Sequence, residues 1–423
     1  MTSALTEDCV AQPSSPCADA GARRLSRPLA LIFAAACGIS VANVYYAQPL
    51  LDAIAESVAI DPASIGLVVT LTQLGYAIGL VAIVPLGDRL DRRRLILGQV
   101  GLSVPALIVV ASAPTPAVLL VGMVALGLLS VVVQVLVAFA ATLAAPAERG
   151  RAIGLVTSGV VIGILASRVA AGAIADLAGW RMVYGVSAVL MLVMTGILWR
   201  VLPREGRRMP DESYAAILRS IPVLFAEQPL LRMRALLALL IFAAFSTFWT
   251  SLVLPLSAAP HAFPHGVIGL FGLVGLVGAL AARGAGRLAD QGLGPATTGA
   301  ALLLLLASWG LIALLPVSLA ALLVGVLMLD LAVQAVHVTN QSLIVARFPD
   351  SHSRLIGGYM VFYSLGSGLG ALASTIAYAH AGWAGVALLG AGFSGTALAL
   401  WACTRWRPKT PRRRRSPGQG APQ

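Results

Sequence analysis

The sequence predicts an all-α membrane protein of twelve transmembrane helices, arranged as two six-helix bundles related by pseudo-symmetry. Three observations carry that expectation. The 423-residue chain is 58% hydrophobic and only 11% charged, with a mean hydropathy of +0.89. No water-facing globular surface can be built from that balance, so the bilayer must be the solvent. The apolar residues fall in runs of about 20, the length of one helical crossing. The pattern also repeats: Ala178-Gly179-Trp180 returns as Ala381-Gly382-Trp383, and the same 203-residue offset carries Gly122 to Gly325, Arg151 to Arg354, Gly154 to Gly357 and Gly163 to Gly366.

Taken in order, residues 1–28 read as a polar cytoplasmic tail. Arg23-Arg24-Leu25 has the look of a twin-arginine export signal and Ala35-Ala36-Cys37-Gly38 of a lipoprotein cleavage site. The apolar run from Leu29 to Leu51 is longer than a signal core, however, and more spans follow, so it reads as an uncleaved first helix. The first bundle, 29–202, holds helices at 29–52, 63–86, 95–113, 117–144, 152–175 and 181–202. Residues 203–233, with Pro203, Pro210, Pro222 and Pro229 among several arginines, form a solvated linker in which Ser213–Phe225 reads as a short surface helix. The second bundle, 234–403, holds helices at 234–257, 265–283, 296–315, 318–346, 354–379 and 383–403, and 404–423 is a basic tail.

The basic residues set the orientation. Of the 29 Lys and Arg, which give a formal net charge of +12, all but Arg168 and Arg181 fall in the two tails, the even-numbered loops, the linker or the helix ends that flank them. The positive-inside rule makes that side cytoplasmic, with both termini there, as expected of a cytoplasmic membrane. Charge so distributed belongs beside anionic lipid, and the Arg412–Arg415 run is read that way and not as a nucleic-acid site. Cys9, Cys17, Cys37 and Cys403 have no Cys-x-x-Cys spacing and form neither a disulfide framework nor a thiolate metal site.

The densest charge cluster is Gly87-Asp88-Arg89-Leu90-Asp91-Arg92-Arg93-Arg94, between helices two and three; a weaker copy, Gly286-Arg287-Leu288-Ala289-Asp290, lies 199 residues on. Gly87 permits close backbone approach, and Asp91 stands where a carboxylate can cap helix three. Gly87, Asp91 and Arg92 match the Gly-x-x-x-Asp-Arg loop of the major facilitator superfamily, although the inner Gly of that motif is missing here. With twelve spans and a half-chain repeat, the whole chain resembles that superfamily. Asn43-Val-Tyr-Tyr-Ala-Gln-Pro-Leu50 and Pro85–Arg94 are similar to its bacterial efflux-type, drug:proton antiporter-like branch. The resemblance implies alternating access between the two bundles, with Gly87, Asp91, Arg92, Gly286 and Asp290 as cytoplasmic gating loops that latch the bundles in the outward-open state. It also implies a helix-five antiport motif. Gly154, Gly163 and Gly172 fit that motif, whereas Ser167-Arg168 replaces its Gly-Pro and Ala171 one of its final glycines, which weakens the inference of antiport.

Two charges fall inside the membrane. Arg168 lies roughly 24 Å along helix five and Asp330 roughly 18 Å along helix ten, at 1.5 Å per residue. A lone charge there costs about 2.5 to 3.5 kcal/mol even on the lenient insertion scale, so Arg168 and Asp330, from opposite halves, are expected to pair in at least one state. On helix ten, Asp330, Gln334, His337 and Gln341 share one face at spacings of 4, 3 and 4, with Asn340 beside it. A polar stripe on an apolar helix lines water or a binding site, or else a structural network between helices. Asp330 and His337 are proton-coupling candidates. Asn43, Tyr46 and Gln48 on helix one, Gln134 on helix four and Trp249 on helix seven join Gln334, Asn340 and Gln341 as cavity candidates, with Tyr359 and Tyr363 behind them. His261 and His265 have a metal-like spacing but no third ligand in view.

No nucleophile elbow, Walker loop or zinc signature is present, and the Gly-rich stretch 266–286 reads as helix-packing residues. The sequence therefore points to no enzyme, no cofactor, no metal and no nucleic-acid partner. It points to a monomer in the lipid bilayer that moves a small organic solute, coupled to protons and outward. A metabolite or sugar importer is the alternative, and a non-transporting membrane sensor a more distant one.

Overall fold

The computed structural model describes residues 25–145, 148–203, 214–281, 283–347 and 352–405. The helices are α1 Arg27–Tyr45, α2 Leu51–Val58, α3 Leu67–Ala82, α4 Arg92–Ala111, α5 Pro116–Ser130, α6 Val132–Leu143, α7 Arg149–Ala178 and α8 Trp180–Val201 in the first half. They continue with α9 Tyr214–Glu227, α10 Pro229–Ser251, α11 Val253–Ser257, α12 His265–Ala281, α13 Arg283–Leu288, α14 Gly294–Ile312, α15 Leu319–Arg347 and α16 His352–Arg405. Ten helical stretches among the described residues are long and apolar enough to cross a membrane. One of these breaks at Gly382 and so makes two crossings, and the shorter α12 completes twelve.

Local chemistry explains the boundaries. Ser26 and Thr115 cap α1 and α5 through their side chains, each with a proline at the start of the helix, where a missing N–H costs nothing. Asp91 caps α4 by accepting from the Arg93 amide at 3.0 Å, as expected of its place in the loop. The first predicted span runs on past 52 to Val58 and breaks at Tyr46–Leu50, where Pro49 lacks a donor. The fourth divides at Val131, and the seventh begins at Pro229 and divides at Leu252. The surface helix expected at 213–225 is α9, whose Tyr214 hydroxyl donates to the Ala82 carbonyl at 2.7 Å.

The repeated Ala-Gly-Trp is the same reversal made twice. Gly179 (φ +81°) ends α7, and Gly382 (φ +58°) breaks α16 at the equivalent point. Both values lie in left-handed territory open to glycine, and the tryptophan after each is buried. The Gly163–Gly366 match has a packing cause: a Cβ on Gly163 would strike the Gly38 backbone of α1, and one on Gly366 the Leu239 backbone of α10. Each half thus uses glycines to seat its fifth helix against its first, with Gly159 on Ala34 and Gly370 on Ala243 adding a second close approach in each.

The halves meet along α7 with α12 and α3 with α16. On the face opposite the Gly87–Arg94 loop the contacts are close. Gly172 lies on the His265 backbone and Gly66 on Ala371, while Thr375 donates to the Ala63 carbonyl at 2.9 Å and Thr70 to that of Gly368 at 2.8 Å. Toward the arginine-rich face α7 draws away, and a Cβ at Gly150 or Gly154 would meet nothing within 4 Å. Gly154, expected from its motif position to pack a helix, does not do so, because it lies on this diverging stretch. In the Gly87–Arg94 loop, Arg92 donates to the Gly87 carbonyl at 3.0 Å and to Thr142 at 2.8 Å, and Arg93 to the carbonyls of Leu202 and Trp199, all of the first half. Asp91 also pairs with Arg94 at 3.7 Å. The side chains of Gly286 and Asp290 lie outside the described residues.

Candidate functional site

Near mid-membrane, Arg168 of α7 is buried, and its Nη2 donates to Gln48 Oε1 at 2.9 Å. The bend after α1 turns Gln48 inward for this bond. The guanidinium lies 4.0 Å from the Trp249 ring centroid, 5.4 Å from Tyr45 and 5.9 Å from Phe245, so aromatic faces take the place of a carboxylate. Asp330 of α15 is also buried, and it meets the Trp249 ring at Gly275. Among the described residues no ion pair joins it to Arg168. The two charges flank α12 instead: a Cβ on Gly272 would lie 3.4 Å from the Arg168 side chain, and one on Gly275 would lie 2.8 Å from Asp330 Oδ2 and 3.1 Å from the Trp249 ring. The glycines read as simple packing residues are therefore where α12 passes between the membrane charges.

Three polar atoms here have no hydrogen-bond partner among the described residues: Arg168 Nε, Trp249 Nε1 and Asp330 Oδ2. All three are buried where the halves meet, and the indole of Trp249 is the donor that lies by the Asp330 carboxyl. A cavity of about 10 Å³, room for one water, lies among Gln48, Arg168, Trp249, Leu252 and Ile268. Such a set can bind a compact polar group against an indole face, and it is closed around that point in this conformation.

From the centre toward the arginine-rich face runs a column of rings. Tyr45 and Tyr363 share a hydroxyl–hydroxyl bond across the two halves, Phe242 packs on Tyr363 at 4.1 Å, and His337 packs on Phe242 at 5.1 Å. The amide of Gln341 donates to His337 Nε2 at 3.3 Å, so Nδ1 carries the proton and donates to the Tyr359 hydroxyl at 2.9 Å. Both ring nitrogens are thus engaged. His337 also stands two turns from Asp330, which excludes direct proton exchange between them in this arrangement.

Several expected cavity residues face elsewhere. Asn43 accepts from Ser187 at 2.6 Å and Tyr46 packs edge-on to Tyr184 at 6.2 Å, both turned toward α8 inside the first half. One residue of helical rotation, about 100°, puts Tyr45 at the centre in place of Tyr46. Asn340 is buried against Arg234, whose Nη1 donates to Asn340 Oδ1 at 3.0 Å and to Thr298 at 3.2 Å. It ties helices together inside the second half. Gln134 donates to the Tyr76 hydroxyl at 3.3 Å, and Gln334 is half-buried on the Asp330 face. Sequence reasoning missed Tyr45, Phe242, Phe245 and Arg234. In the sequence Arg234 reads as a charge flanking the linker, because it stands at the start of the expected helix 234–257.

His265 does not join His261, which packs on Phe263 at 5.5 Å. It lies between two carboxylates of the other half, Asp52 and Asp176.

Comparison with known proteins agrees with this architecture. The family model described as Major Facilitator Superfamily matches residues 30–353 and 299–423. The chain is 47% identical over 377 residues to "Uncharacterized transporter YgaY" of Escherichia coli O157:H7, covering 89% of this chain and 95% of that one. It is 28% identical over 200 residues to a "Probable sugar efflux transporter" of Helicobacter acinonychis, covering 47% of this chain and 50% of that one. Among solved structures, a bacterial homolog to the human lysosomal transporter Spinster, in an inward-facing and unoccupied conformation, superposes with a TM-score of 0.72 at 16% identity, over 90% of this chain and 100% of that one. Twelve helices in two related halves, charges held where those halves meet, and a family model matching nearly the whole chain lead to one conclusion: this is a multi-pass membrane transporter that belongs to the Major Facilitator Superfamily.

Proposed function

We propose that this transporter exports a small organic solute in exchange for protons, by alternating access between its two halves. The observation that carries the reading is the buried carboxyl of Asp330, which sits with the Trp249 indole at Gly275 and has no ion pair among the described residues. A buried carboxylate without an ion pair is costly in hydrocarbon, so the site favours uptake of a proton or of a cationic ligand group. A site that exchanges one for the other couples solute flux to proton flux. Indole, phenol and phenyl rings around one carboxyl suit a ring-bearing or amphipathic solute with at least one donor group. One proton moved down a 100 mV potential supplies about 2.3 kcal/mol, enough to concentrate a neutral solute roughly fiftyfold.

On this reading the arginine-rich face is cytoplasmic, the membrane is the bacterial inner membrane, and the protein works as a monomer. The described conformation, closed opposite the arginine-rich face, is then the one that faces inward. Outward direction is supported by the efflux-type stretches at Asn43–Leu50 and Pro85–Arg94 and by the sugar-efflux relative; uptake of a sugar or other metabolite is the competing direction. The test is flux in proteoliposomes across a solute panel under an imposed pH gradient. Wild type should concentrate a solute against its gradient when protons run the other way, and Asp330→Asn should lose at least about tenfold of the pH-driven rate. Flux indifferent to the pH gradient in wild type would remove proton coupling.

A further inference from the structure

On the face opposite the arginine-rich one, a single histidine of the second half is held between two carboxylates of the first. His265 opens α12. Its Nε2 is 3.0 Å from Asp52 Oδ1 on α2, and its Nδ1 is 3.4 Å from Asp176 Oδ1 near the end of α7. Asp176 does more, since its Oδ1 accepts the His265 amide at 3.0 Å and its Oδ2 the Gly266 amide at 2.7 Å. It therefore caps a helix that belongs to the other half, and one turn earlier Gly172 lets α7 lie directly on the His265 backbone. The three side chains are 23 to 30% exposed, within reach of water.

The donor arithmetic fixes what this arrangement requires. An imidazole with a carboxylate oxygen at each nitrogen satisfies both only as the doubly protonated cation. In the neutral ring one nitrogen turns a lone pair toward an anion. Protonated, the trio carries a net charge of −1; deprotonated, it carries −2, with two carboxylates facing an acceptor across the line where the halves must part. Other charged or titratable groups at this end are differently engaged: Asp61 accepts the Ala63 amide at 2.8 Å, and His380 Nδ1 lies 2.9 Å from the Ile376 carbonyl. Arg181 donates to Ser57 at 2.5 Å and to the Ala113 carbonyl at 3.1 Å, and it stacks on Trp180 at 4.4 Å. Glu56, one turn beyond Asp52, lines with it an open pocket of about 380 Å³ that Leu254 of the second half closes on one side, and His261 packs on Phe263. Histidine titrates in the range that a membrane facing an acidic exterior experiences.

From this geometry we infer that His265 is a second proton site, separate from Asp330: its protonation clasps the two halves shut on this face, and loss of that proton releases them. It rests on the alternating-access reading above, in which this face is external. A proton arriving from outside then does two things, loading the central carboxyl and closing the door behind it. In a solute-for-proton exchanger that order prevents the emptied carrier from returning without its proton.

The test reads distance, not transport. Spin labels placed at Glu56→Cys and Ala262→Cys, in a background cleared of the four native cysteines, report separation across this face by pulsed electron resonance in lipid nanodiscs between pH 5.5 and 8. Wild type and Asp330→Asn should both shift toward the wider separation as pH rises, with the closed-to-open ratio falling by about tenfold, the change that one unit of difference in proton affinity produces. His265→Gln should respond less than about twofold, and His265→Arg, charged at every pH, should stay closed throughout; either variant suffices if the other fails to fold. A wild-type response surviving in His265→Gln or His265→Arg would overturn the clasp, and so would loss of the response in Asp330→Asn. If proteoliposome flux ignores the pH gradient while the distance still follows His265, the coupling proposal falls and the clasp stands.

Discussion

Asp330 and Trp249 can approach one another closely because Gly275 has no side chain. A methyl there would meet the carboxyl at 2.8 Å, closer than real Cβ contacts come, and the indole at 3.1 Å, tighter than most, while the buried ring leaves little room to yield. Gly275→Ala should therefore displace the carboxyl and cut pH-driven flux by about tenfold or more, with surface expression close to wild type; unchanged flux would place the binding point elsewhere. At this scale the sequence was only partly legible. The positions of Asp330, Arg168, Gln48 and Trp249 in apolar runs marked them as costly and so as meaningful. Their partners were not readable, because a guanidinium in a membrane can be satisfied by a carboxylate or by an amide and rings, and spacing along one helix does not distinguish these. Asn43 and Tyr46 against Tyr45 make the same point, since neighbours on a helix differ by about 100° in direction.

Single helices were legible in their extent and much less so in their breaks. Ser26, Thr115, Asp91 and the Ala-Gly-Trp pairs act through neighbours in the chain, and their effects stood where the residues stood. The divisions at Val131 and Leu252 have no comparable mark at the position itself. Glycines in one helix also differ sharply in what they do. A methyl on Gly163 would strike the Gly38 backbone, whereas on Gly154 it would meet nothing. Gly163→Ala should lower stability by about 1 to 3 kcal/mol, seen as a lower detergent melting temperature, while Gly154→Ala should be neutral or slightly stabilising. Equal effects would mean that α7 does not diverge as described.

For the whole molecule, close contact on one face and divergence toward the other describe one end of an alternating cycle. The proposed orientation has a direct check. A cysteine at Leu90, which is 52% exposed, should react with a membrane-impermeant maleimide only after cells are permeabilised, and one at Val317, 80% exposed, should react in intact cells. The reverse pattern would invert the topology and move the His265 clasp to the inside.

Composition, run length and a 203-residue echo were enough to reach twelve helices and two related halves, because a bilayer imposes its rules on each segment separately, and the Gly87, Asp91 and Arg92 loop added the resemblance to the family. Hydrophobic length, loop charge and glycine at a positive φ are local requirements, and a linear string can display them. What tertiary structure alone decided was which side chains from distant helices share a point: Arg168 on Trp249 and Gln48 without an ion pair to Asp330, Asn340 claimed by Arg234, and His265 between Asp52 and Asp176. Those outcomes depend on helix rotation and on where the halves touch, which are set by the packing of all the helices at once and are written in no single one of them.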